Sequence, residues 1–203
     1  DPATYNNQYT FVAIGGSVDN SLTEVDAAGN AVGDLVETVE PADGAKKWVF
    51  KLRKGVTFHN EKTVTSDDVV ASYRHHMTED TKSPSKPLLK AVKDIKTDGP
   101  KTVIFELDGG NADFPYLLGD YHIIVVPKDF TDWNKLIGTG AYTLESFEPG
   151  VRLVFKNRGD YWKPGRANFD TVEIRNIQDV AARTAALQSG EIDILSRNTT
   201  WTL

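Results

Sequence analysis

The chain has 203 residues and a formal net charge of −6; 39% of its residues are hydrophobic and 26% are charged. This is the mixture of a folded globular protein, neither disordered nor collagen-like, and long enough for one large or two small domains. The acidic balance argues against a protein devoted to phosphate backbones, and the lack of cysteine excludes disulfide frameworks, thiolate nucleophiles and cysteine-based zinc sites. No apolar run approaches the roughly 20 residues that span a bilayer. Because it opens Asp1-Pro2-Ala3, the chain is expected to be processed or trimmed.

Along the chain, Tyr9 to Ile14 reads as helix or strand and runs into Gly15-Gly16. Ser21 to Asp26, a turn at Ala27 to Asn30, and Leu35 to Val39 follow. Pro41-Ala-Asp-Gly44 is a turn signal, and the β-branched and aromatic run Trp48 to Leu52 is a strand. Lys54-Gly55 then turns the chain into Val56 to Phe58. Thr65 and Asp68 have capping-box spacing, and Asp67 adds negative charge where a helix N-terminus favours it. Val69, Val70, Tyr73 and Met77 recur at helical spacing, so a helix is predicted over Ser66 to Met77.

Thr78 to Pro87 reads as a loop, and a short helix over Leu88 to Val92 is expected to lead into Ile95. Thr102 to Leu107 is a strand ended by Asp108-Gly-Gly110. Phe114 to Leu118 reads as a short helix, and Ile123 to Val126 as a short buried strand stopped by Pro127. Tyr142 to Phe147, Pro149-Gly150 and Val151 to Lys156 form a β-hairpin pattern. Val172 to Ile177 is a strand, Asp179 caps a helix over Val180 to Ser189, Gly190 ends it, and Ile192 to Leu195 is a further strand. Such a βαβ order implies two parallel strands, giving a mixed α/β class with antiparallel hairpins.

Little in this pattern points to catalysis. Adjacent His75 and His76 project about 100° apart on a helix and lack the i, i+4 spacing of two zinc ligands; with His59 and His122 they read as structural or surface groups. Asp67-Asp68 is explained by capping more simply than by a catalytic carboxylate pair. Gly15-Gly16 and Gly138-Thr-Gly140 lack the lysine and hydroxyl of a P-loop and the three-glycine dinucleotide spacing. Lys46, Lys47, Lys51, Arg53 and Lys54 alternate as a solvated strand face does. Tyr161 and Trp162 read as packing residues.

Several motifs, in order, carry a family resemblance. Trp48-Val-Phe-Lys-Leu-Arg-Lys-Gly-Val-Thr-Phe-His59 followed by Thr63-Val-Thr-Ser-Asp-Asp-Val-Val-Ala-Ser-Tyr73 resembles the signature of family 5 of the extracellular solute-binding proteins, the peptide/nickel/opine type. Gly138-Thr-Gly-Ala-Tyr142 is similar to that family's Gly-Thr-Gly-Pro-Tyr, and Asn157-Arg-Gly-Asp-Tyr-Trp162 to its Arg-Asn-Pro-x-Tyr-Trp. Ala181 to Asp193 resembles its helix and strand, and Asp1-Pro2-Ala3 its Leu-Asp-Pro-Ala. Ala141 and Arg158-Gly159 depart from the pattern. Leu195 to Leu203 instead resembles a stretch of general amino-acid-binding proteins from another binding-protein family.

The resemblance implies an α/β periplasmic-binding-protein fold of type II, a mixed sheet with an inserted α+β subdomain, in a partial chain whose second lobe is largely absent. Residues 1–20 would start lobe I, 21–126 would be the inserted subdomain, and 127–203 would return to lobe I with the hairpin and βαβ unit. It implies the substrate-binding component of an ABC importer, taking a peptide-like or other small polar solute between lobes and delivering it to a membrane permease. The expectation includes no enzyme activity, no cofactor or metal, no nucleic-acid partner, a monomer, and a periplasmic or membrane-anchored extracellular location. Tyr5, Asn6 and Asn7 are the expected ligand contacts, with Thr139 and Tyr142 beside the hinge. The alternatives are a metal-assisted hydrolase fragment using His59, His75 and His76, and a sensor or chaperone-like module that presents ligand on the same fold.

Overall fold

A computed structural model describes residues 17–133 and 135–195. Strands β1 (Thr23–Val25) and β2 (Ala31–Gly33) form a small antiparallel ribbon. Strands β3 (Val36–Ala42), β4 (Lys47–Leu52), β5 (Val92–Thr97) and β6 (Thr102–Leu107) form an antiparallel sheet in the order β3-β4-β6-β5. Helix α1 (Ser66–His75) packs on β5 and β6, and short α2 (Phe114–Leu117) packs on β1 and β2. Strands β7 (Tyr142–Glu148), β8 (Arg152–Asn157) and β9 (Thr171–Arg175) make a third antiparallel sheet, followed by α3 (Val180–Gln188).

Alternation along β4 and β6 builds the larger core. Trp48, Phe50 and Leu52 face inward with Val103, Phe105 and Leu107, while Lys47 and Lys51 stay on the other face opposite Glu106 and Thr102. Lys51 donates to Glu40 at 3.2 Å and Lys96 to Glu106 at 2.7 Å, so the basic run on β4 is a solvated face. Phe105 lies edge-on to Phe50, Tyr73 and Phe114 with centroids 5.4, 5.0 and 5.3 Å away. The smaller core has Val18, Ala141, Tyr142 and Phe155 at its centre, with Leu144, Leu153, Val172 and Ile174 partly covered.

The start of α1 is built as its spacing predicts. The Asp68 carboxylate accepts from the Thr65 N–H at 2.8 Å and its hydroxyl at 2.6 Å, and from the Lys128 N–H at 2.9 Å. Asp67 pairs with Lys128 at 3.2 Å. Both carboxylates are thus engaged at the helix start. Helix α1 closes at His75 rather than Met77, because the His76 and Met77 amides donate three residues back, to Tyr73 and Arg74.

Three expected elements are absent among the described residues. Leu88 to Val92 is a succession of four-residue turns around Pro87, the closing amide of each donating three residues back, and Val92 already begins β5. Ile123 to Val126 is buried but makes no ladder: Val125 donates to the Asn20 carbonyl, and the Val126 amide donates to the Ser72 hydroxyl at 3.0 Å. Ile192 to Leu195 forms no strand, so the βαβ unit has no parallel pair. There the Glu191 and Ile192 amides both fold back onto the Ala186 carbonyl, which completes the end of α3.

Candidate functional site

The two cores meet where residues 17–22 run beside residues 136–142. The Gly140 amide donates to the Val18 carbonyl at 2.7 Å, and the Tyr142 amide to the Ser17 carbonyl at 2.9 Å. Only glycine permits so close an approach. A Cβ on Gly138 would lie 2.2 Å from the Val18 oxygen, and one on Gly140 would lie 2.4 Å from the Ser17 oxygen.

Thr139, fully buried between these glycines, donates its hydroxyl to Asn20 Oδ1 at 2.9 Å. The Asn20 amide nitrogen in turn donates to Asp34 Oδ2 at 3.0 Å and to the Tyr161 hydroxyl at 3.1 Å. Asp34 is 4% exposed and also meets Lys163 at 3.1 Å, whose ammonium reaches Glu24 at 2.6 Å. Burial pushes the Asp34 pKa up from its ordinary value while Lys163 and Asn20 hold it down. Burial opposes the Lys163 charge, yet its bonds to Glu24 and Asp34 prevail and raise its pKa. A buried charge is tolerable when it is paired and hydrogen-bonded, as both are here. Trp162 packs beside this pair, with Arg53 at 5.5 Å and Lys163 at 5.7 Å from its ring centroid.

Two further groups tie the units together. His59 donates its backbone N–H to the Gly138 carbonyl at 2.9 Å, and its ring lies against Gly138 and Gly140. The Arg158 guanidinium donates to the Thr57 carbonyl at 3.1 Å and hydroxyl at 3.0 Å, and pairs with Asp160 at 2.6 Å. Beside Gly138, burial pushes the Asp19 carboxyl up to about 7.

Of the residues singled out from the sequence, Tyr5, Asn6 and Asn7 lie outside the described residues. Thr139 is spent on Asn20, and the buried Tyr142 accepts from the Phe169 N–H at 3.4 Å through its hydroxyl. Asn20, Asp34 and Lys163 carry the junction and had no sequence signal: their partners lie 14, 119, 129 and 141 residues away. Of the three histidines of the hydrolase reading, His75 and His76 lie together with ring centroids 5.7 Å apart, while His59 packs elsewhere, on Gly138 and Gly140. His59 belongs to the junction, His75 stacks on Trp133 at 5.3 Å, and His76 meets the Ser83 hydroxyl at 2.6 Å. Among the described residues no group of three or more side chains is arranged to hold a metal ion.

Residues 30–202 match the family model of the bacterial extracellular solute-binding proteins, family 5. The chain belongs to this family. The match runs through most of the segment 195–203 that resembles another family. Oligopeptide-binding protein AppA of Bacillus subtilis is 26% identical over 97% of the chain, and Di/tripeptide-binding protein 1 of Pseudomonas aeruginosa is 28% identical over 96%. The chain spans only 39% and 42% of these two relatives. The structure of AgaA from A. tumefaciens R10 with agropinic acid superposes with a TM-score of 0.88 at 25% identity, covering 95% of this chain and 40% of that one. AppA with a nonapeptide superposes at 0.83 and 26% identity, over 93% of this chain and 39% of the other. The fold is that of the type II periplasmic binding proteins of this family.

Proposed function

We propose that this chain is part of the substrate-binding component of an ABC importer. It would bind a peptide-like or other small polar solute between two lobes and deliver it to a membrane permease. The observation that carries this reading is the family match over residues 30–202. Two relatives that share the fold hold a nonapeptide and agropinic acid, which supports a polar, charged small ligand. Selection between an open and a closed form needs no catalytic residue and no cofactor, which fits a binding rather than a catalytic role.

Tyr5, Asn6 and Asn7 would supply the first lobe's ligand contacts, while Thr139 and Tyr142, buried in the junction, would act by holding the segment beside the hinge. The division is residues 1–20 and 127–203 in lobe I and residues 21–126 in the inserted subdomain. The protein acts as a monomer on the periplasmic or extracellular face, and its partners are the solute and the permease rather than nucleic acid.

The test uses the complete protein that contains this chain. Denaturation followed by mass spectrometry is expected to release a bound peptide, opine or sugar, and a panel of short peptides is expected to raise the melting temperature by several degrees at saturating concentration. No released solute together with no shift across the panel overturns the reading.

A further inference from the structure

We propose that His59 is a positioning residue: its neutral ring clamps the Gly138–Gly140 segment, and protonation of that ring releases the Gly138 amide. The ring spans the segment from one end to the other. Nε2 lies 3.0 Å from the Gly140 carbonyl oxygen, and Nδ1 lies 3.3 Å from the Gly138 nitrogen. A carbonyl only accepts, so Nε2 carries the hydrogen; a backbone N–H only donates, so Nδ1 is bare. One neutral tautomer satisfies both contacts at once.

An imidazolium carries a hydrogen on Nδ1 as well, which opposes the Gly138 N–H. The Leu136 backbone nearby also favours the charged ring. Protonation therefore costs the segment its ring anchor at Gly138 while the one at Gly140 stays. The loss is felt at Thr139, which hangs between the two glycines and holds Asn20. Charged groups around the ring are Arg158, which disfavours the imidazolium, and Asp160, which favours it and is itself paired with Arg158. The Asp19 carboxyl lies beside Gly138. Burial is the largest influence and holds the His59 pKa below its ordinary 6.5, so the clamp is closed at neutral pH and opens in acid. This inference rests on the geometry of the junction and needs no ligand.

The experiment uses the ¹⁵N-labelled complete protein that contains this chain. Ring nitrogen shifts at pH 8 are expected to report the Nε2–H tautomer. Hydrogen-exchange protection of the Gly138 amide, corrected for intrinsic rate, is expected to fall about tenfold as the His59 ring titrates. Protection of the Gly140 amide, held by Val18, is expected to persist. In His59→Gln a carboxamide can donate to Gly140 and accept from Gly138, so protection should stay high with no pH step. His59→Leu should lose Gly138 protection at every pH. An Nδ1–H tautomer at neutral pH, unchanged Gly138 protection through the titration, or a wild-type pH step in His59→Gln overturns the proposal. If His59→Leu does not fold, the glutamine variant and the ring shifts decide.

Discussion

The two sheets of this protein obey the same alternation rule and end with different cores. In the β3-β4-β6-β5 sheet the inward face is covered by α1, and Phe50, Phe105 and Tyr73 are fully buried. The β7-β8-β9 sheet fully buries only Phe155 along its strands, while Val172 and Ile174 remain half-covered. Phe147 is 57% and Phe169 66% exposed. Helix α3 buries little besides Ala186, so it adds hardly any cover. An alternating strand thus announces an apolar face, but the amount of burial depends on what lies over that face.

The largest expected effect sharpens this contrast. Phe105→Ala should remove about 4 kcal/mol of stability, because its ring sits among three aromatic neighbours that cannot all collapse into the gap. Phe155→Ala should fall nearer about 3 kcal/mol, since its thinly packed surroundings can relax. Urea unfolding of both variants measures the difference, and equal losses would erase the distinction between the cores.

Gly138→Ala tests the seam between them. The new Cβ meets backbone oxygen at 2.2 Å, so a loss of about 3 kcal/mol and a lower melting temperature are expected. Loss of the buried ion pair should be somewhat smaller: Lys163→Met leaves Asp34 buried without its cation and should remove about 2 kcal/mol. By contrast Lys51→Met, whose partner Glu40 is 55% exposed, should change stability by less than about 1 kcal/mol. Chemical denaturation at low and high salt separates the two, since only the exposed pair is well screened.

In the pH profile two groups oppose one another, so the net change in the intact protein is the smallest effect. Burial, with the neighbouring His75 and His122 charges, lowers the His76 pKa to about 4 from an ordinary 6.5. The unfolded chain therefore binds more protons in that window, and stability falls as pH drops from 6.5 towards 4. Burial raises Asp19 from 3.8 to about 7, so the folded chain holds the extra proton and stability falls as pH rises through that range. Asp19→Asn should remove the second slope, leaving a stability that climbs steadily from pH 4 to 6.5. Unfolding free energies at half-unit pH intervals check the sign, and an unchanged profile would show that Asp19 does not contribute.

Much of the fold was legible from local chemistry. Strand alternation marks β4 and β6, Thr65 with Asp68 starts α1, and Asp179 caps α3 by accepting from the Ala182 amide at 2.7 Å. These signals act over two to four residues, so the sequence displays them directly. The two missing strands have a common cause. Ile123 to Val126 and Ile192 to Leu195 carry strand-like composition, but a strand exists only where a neighbour supplies a ladder, and the available partners were the Ser72 hydroxyl and the end of α3.

The junction shows the same division most sharply. Local chemistry sets the elements and displays Gly138-Thr139-Gly140 as a motif, together with the family pattern in which it lies. What those residues do follows from folding: the glycines admit the Val18 backbone, Thr139 turns inward to Asn20, and Asn20 joins Asp34 to Tyr161. Asn20, Asp34 and Lys163 look like ordinary surface polar residues until chain segments over a hundred positions apart fold together. Burial then makes their hydrogen bonds obligatory, because in the protein interior no water is left to replace a missing partner.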